Sequence, residues 1–151
     1  MMREIKYIAV HCTATAQGTS VKRLLDIFRA RGFKTPGYHY AITPDGTIHQ
    51  LVEEEKVSNG VKGFNSVSIN VAYFGGIELQ GSKVVAVDNR TPEQRESLLK
   101  LLKELKARYP NALIQGHRDF SPDTNGNGKV DPWERIKECP CFDAKIEYKD
   151  L

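Results

Sequence analysis

Apolar and polar residues alternate in IKYIAVHC (Ile5 to Cys12), a period of two that predicts a buried strand rich in branched side chains, with His11 at its C-terminal end. The period then changes. Val21, Leu24, Leu25 and Phe28 fall at i, i+3, i+4 and i+7, the stripe of an amphipathic helix, with Thr19 or Ser20 as its cap and Gly32 to stop it. Short strands are expected at YHYAIT and TIHQLV, joined by the turn Pro44-Asp45-Gly46. The run SVSINVAYFGGIEL, Ser66 to Leu79, reads as one long, largely apolar strand for the centre of a sheet. A second helix opens with Thr91 as cap, Pro92 at the first helical position and Glu93 in the first turn. Its Leu98, Leu101, Leu102 and Leu105 share one face, and it ends near Pro110. ALIQGH, Ala112 to His117, returns as a strand. These elements predict an α/β fold, a central mixed β-sheet flanked by helices, in a single domain over residues 1–151 without repeat or linker.

Composition narrows the range of functions. At 151 residues and 40% hydrophobic content, the chain is long enough to enclose a full core and a recessed site. With 22 Lys+Arg against 19 Asp+Glu, no basic stripe argues for nucleic acid, and only a mild preference for anionic partners follows. The N-terminus MMREIKYIAV carries charges at Arg3, Glu4 and Lys6 and no long apolar run, so neither a signal peptide nor membrane insertion is expected. Synthesis and folding are expected in the cytoplasm, and a monomer is the default for a chain with no evident apolar seam. Three cysteines, Cys12, Cys139 and Cys141, are an odd count that favours thiols or metal ligands over a disulfide framework.

Two histidines, His11 and His117, end predicted strands, and Cys139 and Cys141 lie beyond the loop after His117. A catalytic zinc takes three protein ligands from the His, Cys and carboxylate set and keeps a fourth position open for water. Residue types alone leave both cysteines eligible. They equally allow two satisfied polar histidines and two buried thiols.

The blocks IAVHCTAT, GYHYAITPDGTIHQ, KGFNSVSINVAYFGGIE, TPEQRESLLKLLKEL, GHRD and KECPCFD follow one another over nearly the whole chain. In this order they resemble the zinc-dependent N-acetylmuramoyl-L-alanine amidases, a family that includes phage endolysins and animal peptidoglycan recognition proteins. The resemblance implies that His11, His117 and Cys139 hold zinc, with Cys141 at the variable position between Pro140 and Phe142. Cys12 would point to the opposite face of its strand from His11. The resemblance also implies that Tyr38 orients or protonates beside the metal and that Lys137 stabilises the oxyanion. The bland alternatives are a core tyrosine and a solvated lysine. His39, alternating with Tyr38 and Tyr40, is expected on the other strand face, and Asn65, in the KGFN turn, is expected to contact substrate. Where some phage members carry a histidine shortly before this turn, the chain has Asn59, Gly60 and Val61, so the cleft rim differs.

Between His117 and Cys139 the sequence fits a calcium loop as well. Asp123, Asn125, Asn127, the Lys129 carbonyl, Asp131 and Glu134 fall at the ligating positions, and Gly128 falls at the sharp turn. Pro122 directly precedes the first position, and the strand and turn through GHRDFSP leave no room for an entering helix, while Pro132 to Lys137 suits a short exit helix. The segment therefore resembles the solitary half-hands of dockerin modules, an insertion over 123–134 in which calcium would be structural. The alternative is an Asx-rich surface loop that needs no ion.

The expected activity is hydrolysis of the amide between the lactyl group of N-acetylmuramic acid and L-alanine in peptidoglycan, on the cell wall after release or export. A non-catalytic module that binds peptidoglycan or muropeptide in the same groove is the competing expectation, and the family's non-catalytic members typically lack the cysteine ligand that Cys139 supplies here.

Overall fold

The computed structural model describes residues 3–128, 130–135 and 137–151. In chain order the elements are β1 (Tyr7–Cys12), α1 (Val21–Ala30), β2 (Tyr40–Ile42), β3 (Ile48–Gln50), β4 (Ser68–Tyr73), β5 (Ile77–Gln80), β6 (Lys83–Ala86), α2 (Pro92–Arg108), β7 (Leu113–Gly116) and α3 (Ala144–Glu147), with three short 3-10 turns between them. The main sheet has the order β3-β2-β4-β1-β7. It is mixed: β1 runs parallel to β4 and β7, and β2 runs parallel to β4 but antiparallel to β3.

Alternation along these strands separates two faces. Ile8, Val10, Ile42, Ile69, Val71 and Ile114 cluster with Leu98, Leu101, Leu102 and Leu105 of α2 in the larger core. Trimming any of these buried leucines to alanine would cost about 2–5 kcal/mol. The helix is fixed at its start by a reciprocal cap, in which the Gln94 N–H donates to Thr91 Oγ1 at 3.0 Å and the Thr91 N–H donates to Gln94 Oε1 at 2.9 Å. Gln94 Nε2 then donates to the carbonyls of Ile42 and Phe74, stitching α2 to the ends of two strands. On the opposite face Leu24 and Phe28 of α1 pack on Ala41 and Phe74, and Ser20 caps α1 by accepting the Arg23 N–H.

The single strand expected over Ser66 to Leu79 is two strands in two sheets. β4 ends at Tyr73, and β5 pairs antiparallel with β6 in a separate hairpin. Gly75 and Gly76 make the break with φ of 136° and 92°, backbone that a side chain resists. Gly76 also lets β1 come close, since a Cβ there would lie 2.4 Å from Cys12 Sγ. β2 starts later than expected, at Tyr40, so Tyr38 and His39 precede the strand and its alternation does not govern them. Among the described residues, no helix is long and apolar enough to cross a membrane.

Candidate active site

β1 places His11 on the face away from α2, opposite Ala72 of β4, where it is almost fully buried. Its Nε2 lies 2.8 Å from Asn70 Oδ1. His117 does not end a strand as expected but opens a 3-10 turn, His117–Phe120, directly after β7. The turn is held by the Gly116 N–H donating to Asp119 Oδ2 at 2.8 Å. The two imidazole rings lie 4.9 Å apart, centre to centre.

Cys139 reaches the histidines because its segment is fastened from three sides. Its carbonyl accepts the Arg118 N–H at 2.8 Å, and the next carbonyl, of Pro140, accepts the Tyr73 hydroxyl at 2.7 Å. Gly116 allows the approach, since a Cβ there would lie 2.6 Å from Pro140 Cδ. The result is one ligand atom each from His11, His117 and Cys139, all within 4.8 Å of one another. Ligand atoms around a tetrahedral zinc sit roughly 3.5 Å apart, given bonds of about 2.0–2.3 Å, so small side-chain adjustments would close this set on an ion. Cys12 and Cys141 are not part of it. Their sulfurs face each other at 3.9 Å, on the side of β1 where Gly76 lies.

The electrostatics suit a cation-binding set. Burial lowers His11 to about 4, and the nearby Lys137 charge adds to the effect. Burial, with His11 and Lys137 beside it, lowers His117 to about 3. Both imidazoles are therefore neutral near pH 7, with a lone pair to give. Lys137 itself is exposed and lines a cleft of about 650 Å³ together with Arg31, Phe33, Lys62, Asn65 and His117. Asn65 Oδ1 accepts the Val61 N–H at 2.7 Å and braces the cleft wall from within. Half-buried Tyr38 has its ring 5.0 Å from that of His11, and its hydroxyl donates to the Cys12 carbonyl at 3.2 Å. Burial, reinforced by the neighbouring cysteine sulfurs, holds its phenol well above the usual range, so it stays protonated.

The loop read as a calcium site turns its acidic oxygens inward. Glu134 accepts N–H groups of Thr124, Asn125 and Asp131, and Asp123 accepts those of Gly126 and Gly128. Asn125 and Asn127 point their amide nitrogens, not their oxygens, at Asp131 Oδ2. Among the described residues the acidic groups do not gather as the His-His-Cys set does, and Lys129 lies outside those residues. The calcium reading gains no support from this geometry. The expected exit helix is a 3-10 turn, Pro132–Glu134.

Sequence reasoning gave no role to Asn70, which meets His11, or to Ser58, which bonds to Asn70, and it placed Gly60 on the cleft rim and not against Asn70. The available signal was a lone amide, Asn70, inside the otherwise apolar run of β4, where it is fully buried.

His11 on β1, His117 in the turn after β7 and Cys139 in the segment fastened beside them thus form a candidate metal-holding set on a mixed α/β sheet. The family profile described as N-acetylmuramoyl-L-alanine amidase matches residues 1–134, and the chain belongs to that family. The match stops short of Lys137 and Cys139, but the endolysin of Klebsiella phage KP32 aligns at 34% identity over 145 residues, covering 95% of this chain and 85% of that protein. Two solved structures share the fold. The N-acetylmuramoyl-L-alanine amidase LysC from Clostridium intestinale URNW superimposes with a TM-score of 0.70 at 24% identity, over 96% of this chain and 82% of LysC. The ectodomain complex of peptidoglycan recognition proteins LCa and LCx, bound to tracheal cytotoxin, contributes a chain with a TM-score of 0.65 at 19% identity, over 91% of this chain and 76% of that one.

Proposed function

We propose that this chain hydrolyses the amide between the N-acetylmuramic acid lactyl group and L-alanine in peptidoglycan, using zinc held by His11, His117 and Cys139. The observation that carries the reading is the convergence of those three ligand atoms, within 4.8 Å of one another, beside an open cleft. Two neutral imidazoles and a thiolate are a zinc donor set, and the cleft gives substrate a way in. Bound there, zinc supplies a Lewis acid that polarises a carbonyl and makes water acidic enough to attack near neutral pH.

The chain's own residues supply the rest. The Lys137 ammonium, on the cleft wall, offers positive charge to the carbonyl oxygen as it becomes negative. The Tyr38 phenol, kept protonated, is a hydrogen-bond donor beside His11 that can orient the carbonyl. Asn65 lines the same cleft as a polar contact for the peptide or sugar, and Arg31 and Lys62 make the wall attractive to the carboxylates of a stem peptide. The enzyme would act as a monomer on the cell wall after release or export from the cytoplasm, and the endolysin names of its relatives support that setting.

The test is the release of primary amines from purified peptidoglycan by the zinc-loaded protein, with reducing ends assayed in parallel. Amines without reducing ends, abolished by a chelator, are expected. Sedimentation with the wall and no amines would overturn the reading in favour of a non-catalytic binding module.

A further inference from the structure

Behind His11 runs a line of buried polar groups whose hydrogen bonds share one direction. The Asn70 backbone N–H donates to His39 Nδ1 at 3.0 Å, so Nδ1 carries no proton. His39 is therefore protonated on Nε2, which donates to the Lys56 carbonyl at 2.7 Å. Arg3 Nη2 also approaches Nε2, at 3.2 Å, but it accepts nothing and donates to the Glu54 carbonyl. Ser58 Oγ, 3.0 Å from the same His39 Nδ1, shares that lone pair with the Asn70 N–H by donating its hydroxyl proton, and it accepts from Asn70 Nδ2, 2.8 Å away. That orients the amide, leaving Oδ1 to face His11 Nε2 at 2.8 Å. A carbonyl oxygen accepts only, so His11 carries its proton on Nε2 and keeps the lone pair of Nδ1.

The amide has no room to turn away. Ser58, Asn70 and His39 are fully buried, and a Cβ on Gly60 would lie 2.4 Å from both Cγ and Oδ1 of Asn70. Gly60 is thus the wall against which the amide is seated. Metal-binding imidazoles are commonly oriented by an acceptor on the nitrogen that does not bind.

We propose that Asn70, seated against Gly60 and locked by Ser58 and His39, is a positioning residue that fixes His11 as the Nε2–H tautomer and so reserves Nδ1 for the metal. The proposal rests on the zinc reading above, and two measurements separate the two. Long-range 1H–15N spectra of the metal-free, full-length chain near neutral pH report the His11 tautomer directly. The native chain should show Nε2–H alone. Asn70→Leu and, independently, Gly60→Ala should lose that single tautomer, whereas Asn70→Asp, which retains an accepting oxygen, should keep it. Zinc affinity, read by chelator competition, should fall about 10–100-fold in the first two variants and much less in the third. An unchanged tautomer in both Asn70→Leu and Gly60→Ala, or any tautomer but Nε2–H in the native chain, overturns this inference. A native chain with the ordered tautomer and no zinc affinity overturns the zinc reading and leaves the orienting role of Asn70 standing.

Discussion

Cys139 Sγ sits 3.1 Å from the backbone nitrogen of Cys12, the residue that follows His11 on β1. The N–H donates to sulfur, a contact that strengthens when the sulfur carries charge. One strand therefore supplies a candidate ligand through a side chain and steadies a second through its backbone. Cys139→Ala is expected to lower zinc affinity by more than the roughly 100-fold typical of an orienting partner. Cys141→Ala, outside the set, should keep one zinc per chain by atomic emission. Equal metal content in both variants would remove Cys139 from the ligand set.

Lys137 and Tyr38 are expected to matter for rate and not for metal. Lys137→Ala should reduce kcat by about 10²–10³, the usual consequence of removing one group that stabilises a developing oxyanion. Tyr38→Phe should reduce it by about 10² or more, and loss of its bond to the Cys12 carbonyl should cost about 1 kcal/mol in urea unfolding. If either variant retains zinc and native kcat, its residue has no part in the chemistry.

Burial lowers His39 from an ordinary 6.5 to about 4 in the fold, and the unfolded chain thus binds a proton that the folded chain refuses. Stability of the metal-free protein should fall as pH drops from about 6.5 towards 4, with His11 and His117 acting in the same sense. His39→Asn, which can preserve the acceptor for the Asn70 N–H, should flatten that slope by one group's share in urea midpoints measured across the range. An unchanged slope would mean that His39 does not titrate differently in the fold.

Gly76→Ala should destabilise the chain by about 1–3 kcal/mol, because the residue has a φ of 92° and its new methyl would meet Cys12 Sγ. Gly63, also at positive φ but with open space around its Cβ position, gives the comparison. Gly63→Ala should suffer the backbone strain alone, so equal losses in thermal or urea unfolding would show that the Cys12 contact is soft.

Much of this fold is legible where independent local signals agree. α2 has a cap, a proline at its first position and a leucine stripe, and it forms where all three place it. The exit from the sheet at Gly75-Gly76 is harder to read because apolar residues continue across it into Ile77 and Leu79, so the pattern does not announce the break. The convergence of His11, His117 and Cys139 could be expected from the order of family blocks and not from any local spacing, since strand pairing sets the histidines and long-range hydrogen bonds bring in the Cys139 segment. Asn70 escaped notice for a related reason. Its partners His39 and Ser58 come from 31 and 12 residues away, and only the folded register shows that an amide in an apolar strand faces a histidine.

The hydrogen bonds that begin at His11 finish on the Lys56 carbonyl, in the segment that continues into the cleft wall at Gly60 to Asn65. The rim proposed to meet substrate and the floor that would hold metal are thus parts of one mechanical unit. Replacing that rim with a segment lacking Ser58 or Gly60 would leave Asn70 without the groups that seat it. A graft that keeps the proposed zinc site would have to carry the three residues together, tying the cleft rim to the metal floor.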